Sequence, residues 1–224
     1  MRIYRQSRRL FLYRSLHDRH NCHDDCHDPR GGSVVNIPSA YLRVHIPAKA
    51  AGAETENQAK VVQFIKKIGM KHIKVFAPGT VANLGCGFDV MGLTLDGVGD
   101  LLEVGIEEGA GGLVIRNRSG KELPAKNEDN VITPAVMALL GAYEKPVRVE
   151  VTILEKIAPG SGIGSSAASS AAAVWGVNEL LGRPFSGERL VEFAMMGEAL
   201  IGGTPHADNV GPAVLGGVVL IRGY

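Results

Sequence analysis

The chain has 224 residues, 45% of them hydrophobic and 21% charged, with a formal net charge of +1. That balance fits a soluble globular protein with one apolar core, and it excludes a global electrostatic attraction to nucleic acid or to an anionic membrane. Three cysteines without a paired framework point to a reducing compartment, and no apolar run approaches the roughly 20 residues of a membrane span, so a cytoplasmic protein is expected.

Residues 1–30 carry seven arginines and four histidines, whereas the glycine-rich material dominates after Gly69. An Arg-rich start resembles a presequence, but Asp18 and the acidic stretch "NCHDDCHD" follow at once and argue against targeting. Cys22, His23, Cys26 and His27 offer zinc-type ligands at i and i+4 spacing. A zinc site normally needs a second pair on a separate folded element, and none is evident, so no metal is expected there. Residues 31–53 show no sustained period, and Glu54–Ile68 reads as a modestly amphipathic helix ending at Gly69. Residues 1–69 are therefore read as a poorly structured N-terminal extension, and residues 70–224 as the folded domain.

From Met70, Ile73 and Val75 alternate with His72 and Lys74, a strand expected to run into a turn at Pro78 and Gly79. Leu101–Ile106, Leu113–Ile115, Val147–Ile153 and Val214–Ile221 read as further strands of a largely antiparallel sheet. Helices are expected from Thr133 as N-cap with Pro134 at the first helical position, from Ser165 to Leu181, and from Glu188 to Leu200. This mixed order indicates an α+β fold.

The chemistry concentrates in Pro159–Ser169, "PGSGIGSSAAS". Gly160, Gly162 and Gly164 let backbone N–H groups approach an anion without side-chain obstruction. A strand upstream and a small-residue helix starting at Ser165 add unpaired N–H groups and the positive end of a dipole, which together make a phosphate site. The Gly-Lys-Ser/Thr ending of the P-loop is absent, and Glu179 lies on the same helix, where a dinucleotide fold would not want its acid. The plainer alternative is a small-residue packing surface.

Three segments in order, "APGTVANLGCGFDVMG", "APGSGIGSSAASSAAA" and "GEALIGGTPHADNVGPAVLGG", resemble the homoserine kinases, a branch of the family of galactose, homoserine, mevalonate and phosphomevalonate kinases (GHMP kinases). The resemblance runs from Met70 to Tyr224. It implies the GHMP N-terminal domain, of the ribosomal protein S5 domain 2-like fold, and ATP-dependent phosphorylation of L-homoserine with Mg2+ in the cytoplasm. The segment Pro159, Gly160, Ser161, Gly162, Ile163, Gly164, Ser165, Ser166, Ala167, Ala168 and Ser169 matches the family's ATP-phosphate loop, with Asn130 near the base. Ser166 and Glu198 match the magnesium-binding positions, and a hydroxyl, a carboxylate and phosphate oxygens suit a hard octahedral cation. Asn83, Asp89 and His206 match substrate contacts, an Asp carboxylate being suited to the substrate ammonium.

Asn209, with His206, takes the catalytic place. Related kinases carry an aspartate in this region, but the homoserine branch has Asn, so Asn209 is expected to orient groups and not to remove a proton. A homodimer is part of the implied picture, with homoserine and ATP as the bound partners. Thr80 and Val81 depart from a common Ser-Ser, and Cys86 from a common proline. The family's C-terminal domain, with a third glycine-rich motif and substrate-binding arginines, is expected to be missing beyond Tyr224. The alternatives are a nucleotide-binding fragment without turnover, and another small-alcohol kinase of the family such as mevalonate kinase.

Overall fold

A computed structural model of the chain describes residues 70–109 and 111–222, together with the backbone of three short strands, β1 (Ile3–Arg5), β2 (Ser33–Asn36) and β3 (Arg43–Ile46). The Cys22, His23, Cys26 and His27 cluster and the helix expected over Glu54–Ile68 lie outside the described residues.

Two long strands, β4 (Lys71–Leu84) and β5 (Gly87–Glu108), form an antiparallel hairpin that carries the sheet. Leu102, Val104 and Ile106 alternate with Glu103, Gly105 and Glu107, so one face of β5 is apolar and buried. The strand β7 (Val147–Glu155) pairs antiparallel with the second half of β5, and β6 (Gly112–Asn117) pairs with β7 in parallel. The strand β8 (Val218–Ile221) pairs antiparallel with the first half of β5. β1 adds to β8, β3 to β4 and β2 to β3, all antiparallel, so three segments of the stretch read as an extension join the sheet at its edges.

The hairpin bends where its register changes. Pro78 faces Gly99 but Thr80 faces Thr94, which loops residues 95–98 out of the ladder. The turn expected at Pro78 and Gly79 is therefore not there; β4 continues to Leu84 and reverses at Gly85 and Cys86. Proline lacks a ladder donor and is accommodated at such a register shift.

Among the described residues the α-helices are α1 (Ile132–Tyr143), α2 (Ser165–Leu180), α3 (Gly187–Gly202) and α4 (Val210–Leu215). The helix α2 lies on β4 and β5 and is flanked by α1, α3 and α4. Its Ala167, Ala168, Ala171 and Ala172 are fully buried, and Gly176 lets it sit close to Val104 and Val75, which a Cβ there would meet at 2.7 and 3.1 Å.

Two further expectations are corrected. Thr133 does not cap α1. Asn130 does, its side-chain oxygen accepting from the Ile132 N–H at 3.1 Å, while the Thr133 hydroxyl donates to the Asn127 carbonyl at 2.5 Å. The strand expected over Val214–Ile221 begins only at Val218, because Val214 belongs to α4, whose end is closed by the Gly216 N–H on the Pro212 carbonyl at 2.8 Å. The helix α4 itself was not anticipated, being shorter than two turns of clear periodicity.

Candidate active site

The segment from β7 to α2 folds over a cavity of about 470 Å³ whose lining includes Pro159, Gly160, Gly162, Gly164, Ser165, Ser166 and Ser169. Gly160, Gly162 and Gly164 all have positive φ, at 76°, 77° and 65°. Gly164 is additionally confined, since a Cβ there would lie 2.0 Å from Thr80 Oγ1 and 3.2 Å from Asn209 Oδ1. The helix α2 starts at this glycine without a side-chain cap, so its opening amides, which no intrahelical carbonyl serves, are left at the cavity wall. Ser161 and Ile163 do not line the cavity; Ile163 turns its carbonyl to the Thr80 N–H at 3.1 Å, and Ala167 and Ala168 face the core.

The two candidate serines separate. Ser165 is buried, its hydroxyl donating to the Ile157 carbonyl at 2.9 Å. Ser166 instead makes a side-chain hydrogen bond with Glu198 on α3. The other Glu198 oxygen, Oε1, is buried in the structure without a hydrogen-bond partner. Burial pushes the Glu198 carboxyl above the usual carboxylate range; the Ser166 hydroxyl opposes this, Asp208 adds to it, and His206 and Lys156 oppose it further. A desolvated carboxylate oxygen beside a hydroxyl and an anion-binding helix start has the donor chemistry of a hard divalent cation site.

Asn130 also lines the cavity and is 7% exposed. It stands in a wall with Glu122, Leu123, Pro124, Asp129 and Val131, supplied by the connection from β6 to α1. Asn209, at the start of α4, also lines the cavity. The Thr80 hydroxyl donates to its Oδ1 at 2.9 Å, which leaves the amide nitrogen as the group Asn209 can offer.

The remaining residues stand outside the cavity lining. Asn83 and Asp89 flank the hairpin tip, both with left-handed backbone at φ 59° and 60°, a conformation that Asn and Asp tolerate best among residues with a Cβ. The Asp89 N–H donates to Asn83 Oδ1 at 2.8 Å, which joins the two as one unit on the hairpin. His206 Nε2 lies 2.9 Å from Thr204 Oγ1, in the segment between α3 and α4. Gly92 ties this segment to the hairpin, as a Cβ there would meet the Asp208 carbonyl at 1.8 Å. Asn209, Glu198 and the loop thus converge on one cavity, with His206 near Glu198 in electrostatic range and the Asn83–Asp89 pair farther along the hairpin.

Three residues near the loop were given no role from the sequence: Thr80, Asp100 and Lys156. Asp100 is fully buried and Lys156 Nζ lies 2.9 Å from its Oδ2, with the lysine side chain only 5% exposed. A signal for Asp100 existed, because it shares the two-residue phase of Leu102, Val104 and Ile106 and so had to face inward. Among the described residues, no three His, Cys, Asp or Glu side chains come together as a metal cluster.

Residues 130–217 match the family described as GHMP kinases N terminal domain. Homoserine kinase of Methanococcus maripaludis is 37% identical over 69% of this chain and 52% of its own length, and that of Methanocella arvoryzae is 43% identical over 68% and 48%. A crystal structure of homoserine kinase from Cytophaga hutchinsonii is 42% identical and superposes with a TM-score of 0.60 over 68% of this chain and 49% of its own. A mevalonate kinase structure, at 16% identity and a TM-score of 0.51, shares the fold over 69% of this chain and 55% of its own. The chain spans about half the length of the curated relatives it matches. Residues 130–217 thus carry the N-terminal domain of the GHMP kinases, within a similarity to homoserine kinases that runs over 69% of this chain.

Proposed function

We propose that the chain is the ATP-binding part of a homoserine kinase, passing the γ-phosphoryl group of ATP to the side-chain hydroxyl of L-homoserine and giving O-phospho-L-homoserine on the route to threonine. The observation that carries this reading is the buried, unpartnered Glu198 Oε1 beside Ser166, at the uncapped start of a helix entered through three left-handed glycines. A carboxylate is an unwelcome neighbour for a triphosphate unless a cation lies between them.

Glu198 and Ser166 fit Mg2+ and would hold it. The ion supplies neutralisation of charge on the phosphate oxygens. The opening amides of α2 and the loop N–H groups would bind the triphosphate oxygens, and the wall around Asn130 would bound the base. Asp89 would hold the substrate ammonium, while Asn83 and His206 make further contacts that aim the hydroxyl at phosphorus. Asn209, its oxygen engaged by Thr80, would present its amide N–H2 to a phosphoryl oxygen. No side chain needs to take the hydroxyl proton early, because in a loose transition state positioning and charge neutralisation supply most of the rate. The bond from phosphorus to the β,γ-bridging oxygen breaks as the new P–O bond forms, the hydroxyl proton passes late to a phosphoryl oxygen or to water, and ADP leaves.

The direct test is titration of the chain with ATP with and without Mg2+, paired with an assay of homoserine-dependent ADP formation. We expect Mg2+-dependent ATP binding that Ser166→Ala weakens. Binding without turnover would leave a nucleotide-binding part alone, and turnover on mevalonate in preference to homoserine would overturn the substrate. The division at Met70, a cytoplasmic setting and a homodimer belong to the same proposal. A chain beginning at Met70 should fold, and its failure to fold would overturn that division. Among the described residues, no helix is long and apolar enough to cross a membrane.

A further inference from the structure

Asp100 and Lys156 are a buried ion pair that the proposed chemistry leaves without a role. Asp100 comes from β5, just beyond the looped-out residues 95–98, and its side chain reaches two other segments, the end of β7 and α2. Its Oδ1 accepts from the Ile157 N–H at 2.8 Å, where β7 hands over to the glycine loop. Its Oδ2 accepts from the Ser169 hydroxyl at 2.6 Å, on the second turn of α2, and lies 2.9 Å from Lys156 Nζ. Lys156 in turn donates to the Ser165 carbonyl at 2.6 Å and also contacts the Ser165 hydroxyl.

An ammonium has three protons, and here Asp100, the Ser165 carbonyl and the Ser165 hydroxyl account for all three. Lys156 lines the cavity, yet it has no donor left for a phosphate. What it grips is the first residue of α2, and what Asp100 grips is both ends of the loop: Ile157 on entry and Ser169 after exit. Burial alone would disfavour both charges, and burial does pull the Lys156 ammonium below the usual lysine range against the opposing pull of Asp100 and, less strongly, Glu198.

We propose that Asp100 and Lys156 are positioning residues that clamp the glycine loop between β7 and α2, fixing the direction of the helix-start amides for a polyphosphate. The proposal rests on the nucleotide reading of the cavity. The pair touches neither phosphate nor substrate and acts through Ile157, Ser165 and Ser169. It anchors the loop to the bent strand of the sheet, so that the amides are already aimed before a ligand arrives.

The test uses the whole chain and the double variant Asp100→Asn with Lys156→Met, which removes both charges and leaves neither uncompensated. Three measurements are compared with the wild type: urea unfolding, amide hydrogen exchange over residues 157–168 without ligand, and MgATP affinity. We expect an unfolding midpoint close to wild type, exchange in the loop and first turn of α2 at least tenfold faster while β5 and β7 stay protected, and MgATP binding at least tenfold weaker. The single variant Asp100→Asn, which strands the lysine charge, should lower the unfolding midpoint more than the double variant does. Unchanged exchange over residues 157–168, or MgATP affinity within twofold of wild type in the folded double variant, would overturn the clamp. A wild-type chain that takes no MgATP would overturn the nucleotide reading and with it the purpose given to the clamp, while the exchange data would still decide whether the pair holds the loop.

Discussion

Replacing Gly164 by alanine tests the joint between the loop and the sheet. The added Cβ would stand 2.0 Å from Thr80 Oγ1 on a residue with φ 65°. The left-handed backbone costs an alanine about 1 kcal/mol. Driving Thr80 away breaks its hydrogen bond to Asn209, about 1 kcal/mol more, and the packing shift adds roughly 1 kcal/mol. The expected loss is about 3 kcal/mol. Gly160→Ala is the control: φ is 76° but nothing lies within 4 Å of the new Cβ, so only the backbone cost of about 1 kcal/mol applies. Urea unfolding of both variants measures the difference, about 2 kcal/mol, which belongs to the contact with Thr80. Thr80→Ala removes the atom that is struck and the same hydrogen bond, so the pair Gly164→Ala with Thr80→Ala should destabilise by about 2 kcal/mol less than the sum of the singles. Equal losses for Gly160→Ala and Gly164→Ala, or strict additivity with Thr80→Ala, would refute the argument.

Glu198→Gln should make the chain more stable and a poorer nucleotide binder. With the folded-state value raised above the unfolded one, the contribution of Glu198 to stability is full below the unfolded value and is lost as pH rises through the folded value. The glutamine variant should therefore gain about 1 kcal/mol near neutral pH, by urea unfolding, and the gain should shrink toward pH 4. Its ATP binding should lose most of its Mg2+ dependence in the same preparation, and a variant that is destabilised at neutral pH would count against a desolvated carboxylate there. Asp89→Asn keeps a residue suited to φ 60°, so thermal unfolding should stay near wild type while KM for homoserine in the turnover assay rises at least tenfold, the loss of one charge-assisted contact. Leu102→Ala, at a fully buried position of β5, should cost about 3 kcal/mol by urea unfolding, and a loss below about 1 kcal/mol would mean that the sheet is not packed as described.

Periodicity located the interior of this fold well and its punctuation poorly. Val147–Ile153 was legible because its apolar spacing is set by burial, which the described positions repeat, and the helix at Ser165 because a run of small helix formers follows the glycines. Pro78–Gly79 misled because a proline at a register shift and a proline in a turn look alike in one dimension, and only the partner strand tells them apart. Thr133 misled because Asn130 precedes the same helix start, and it is the Asn130 oxygen that accepts from the Ile132 N–H while the Thr133 hydroxyl turns to Asn127. In the site, the glycine loop stands on a pattern short enough to read directly, whereas Glu198 was reached only through the family resemblance. Thr80, Asp100 and Lys156 act through contacts to distant segments, as with Asp100 and Ser169, and no local spacing encodes those.

The looped-out stretch of β5 has a consequence for how this chain tolerates insertions and deletions. Asp89 and Asp100 lie on the same strand, one near the hairpin tip and the other under the loop, with residues 95–98 between them outside the ladder. Gly97, with open space around it and φ 71°, sits in that slack. One residue gained or lost there would be absorbed without disturbing either end. The same change between Gly99 and Leu102 would turn Asp100 to the opposite face of the sheet and put its neighbour under the loop. A strand with such an expansion joint lets the two ends of a site drift in sequence length independently, while each keeps its own registration with the elements that face it.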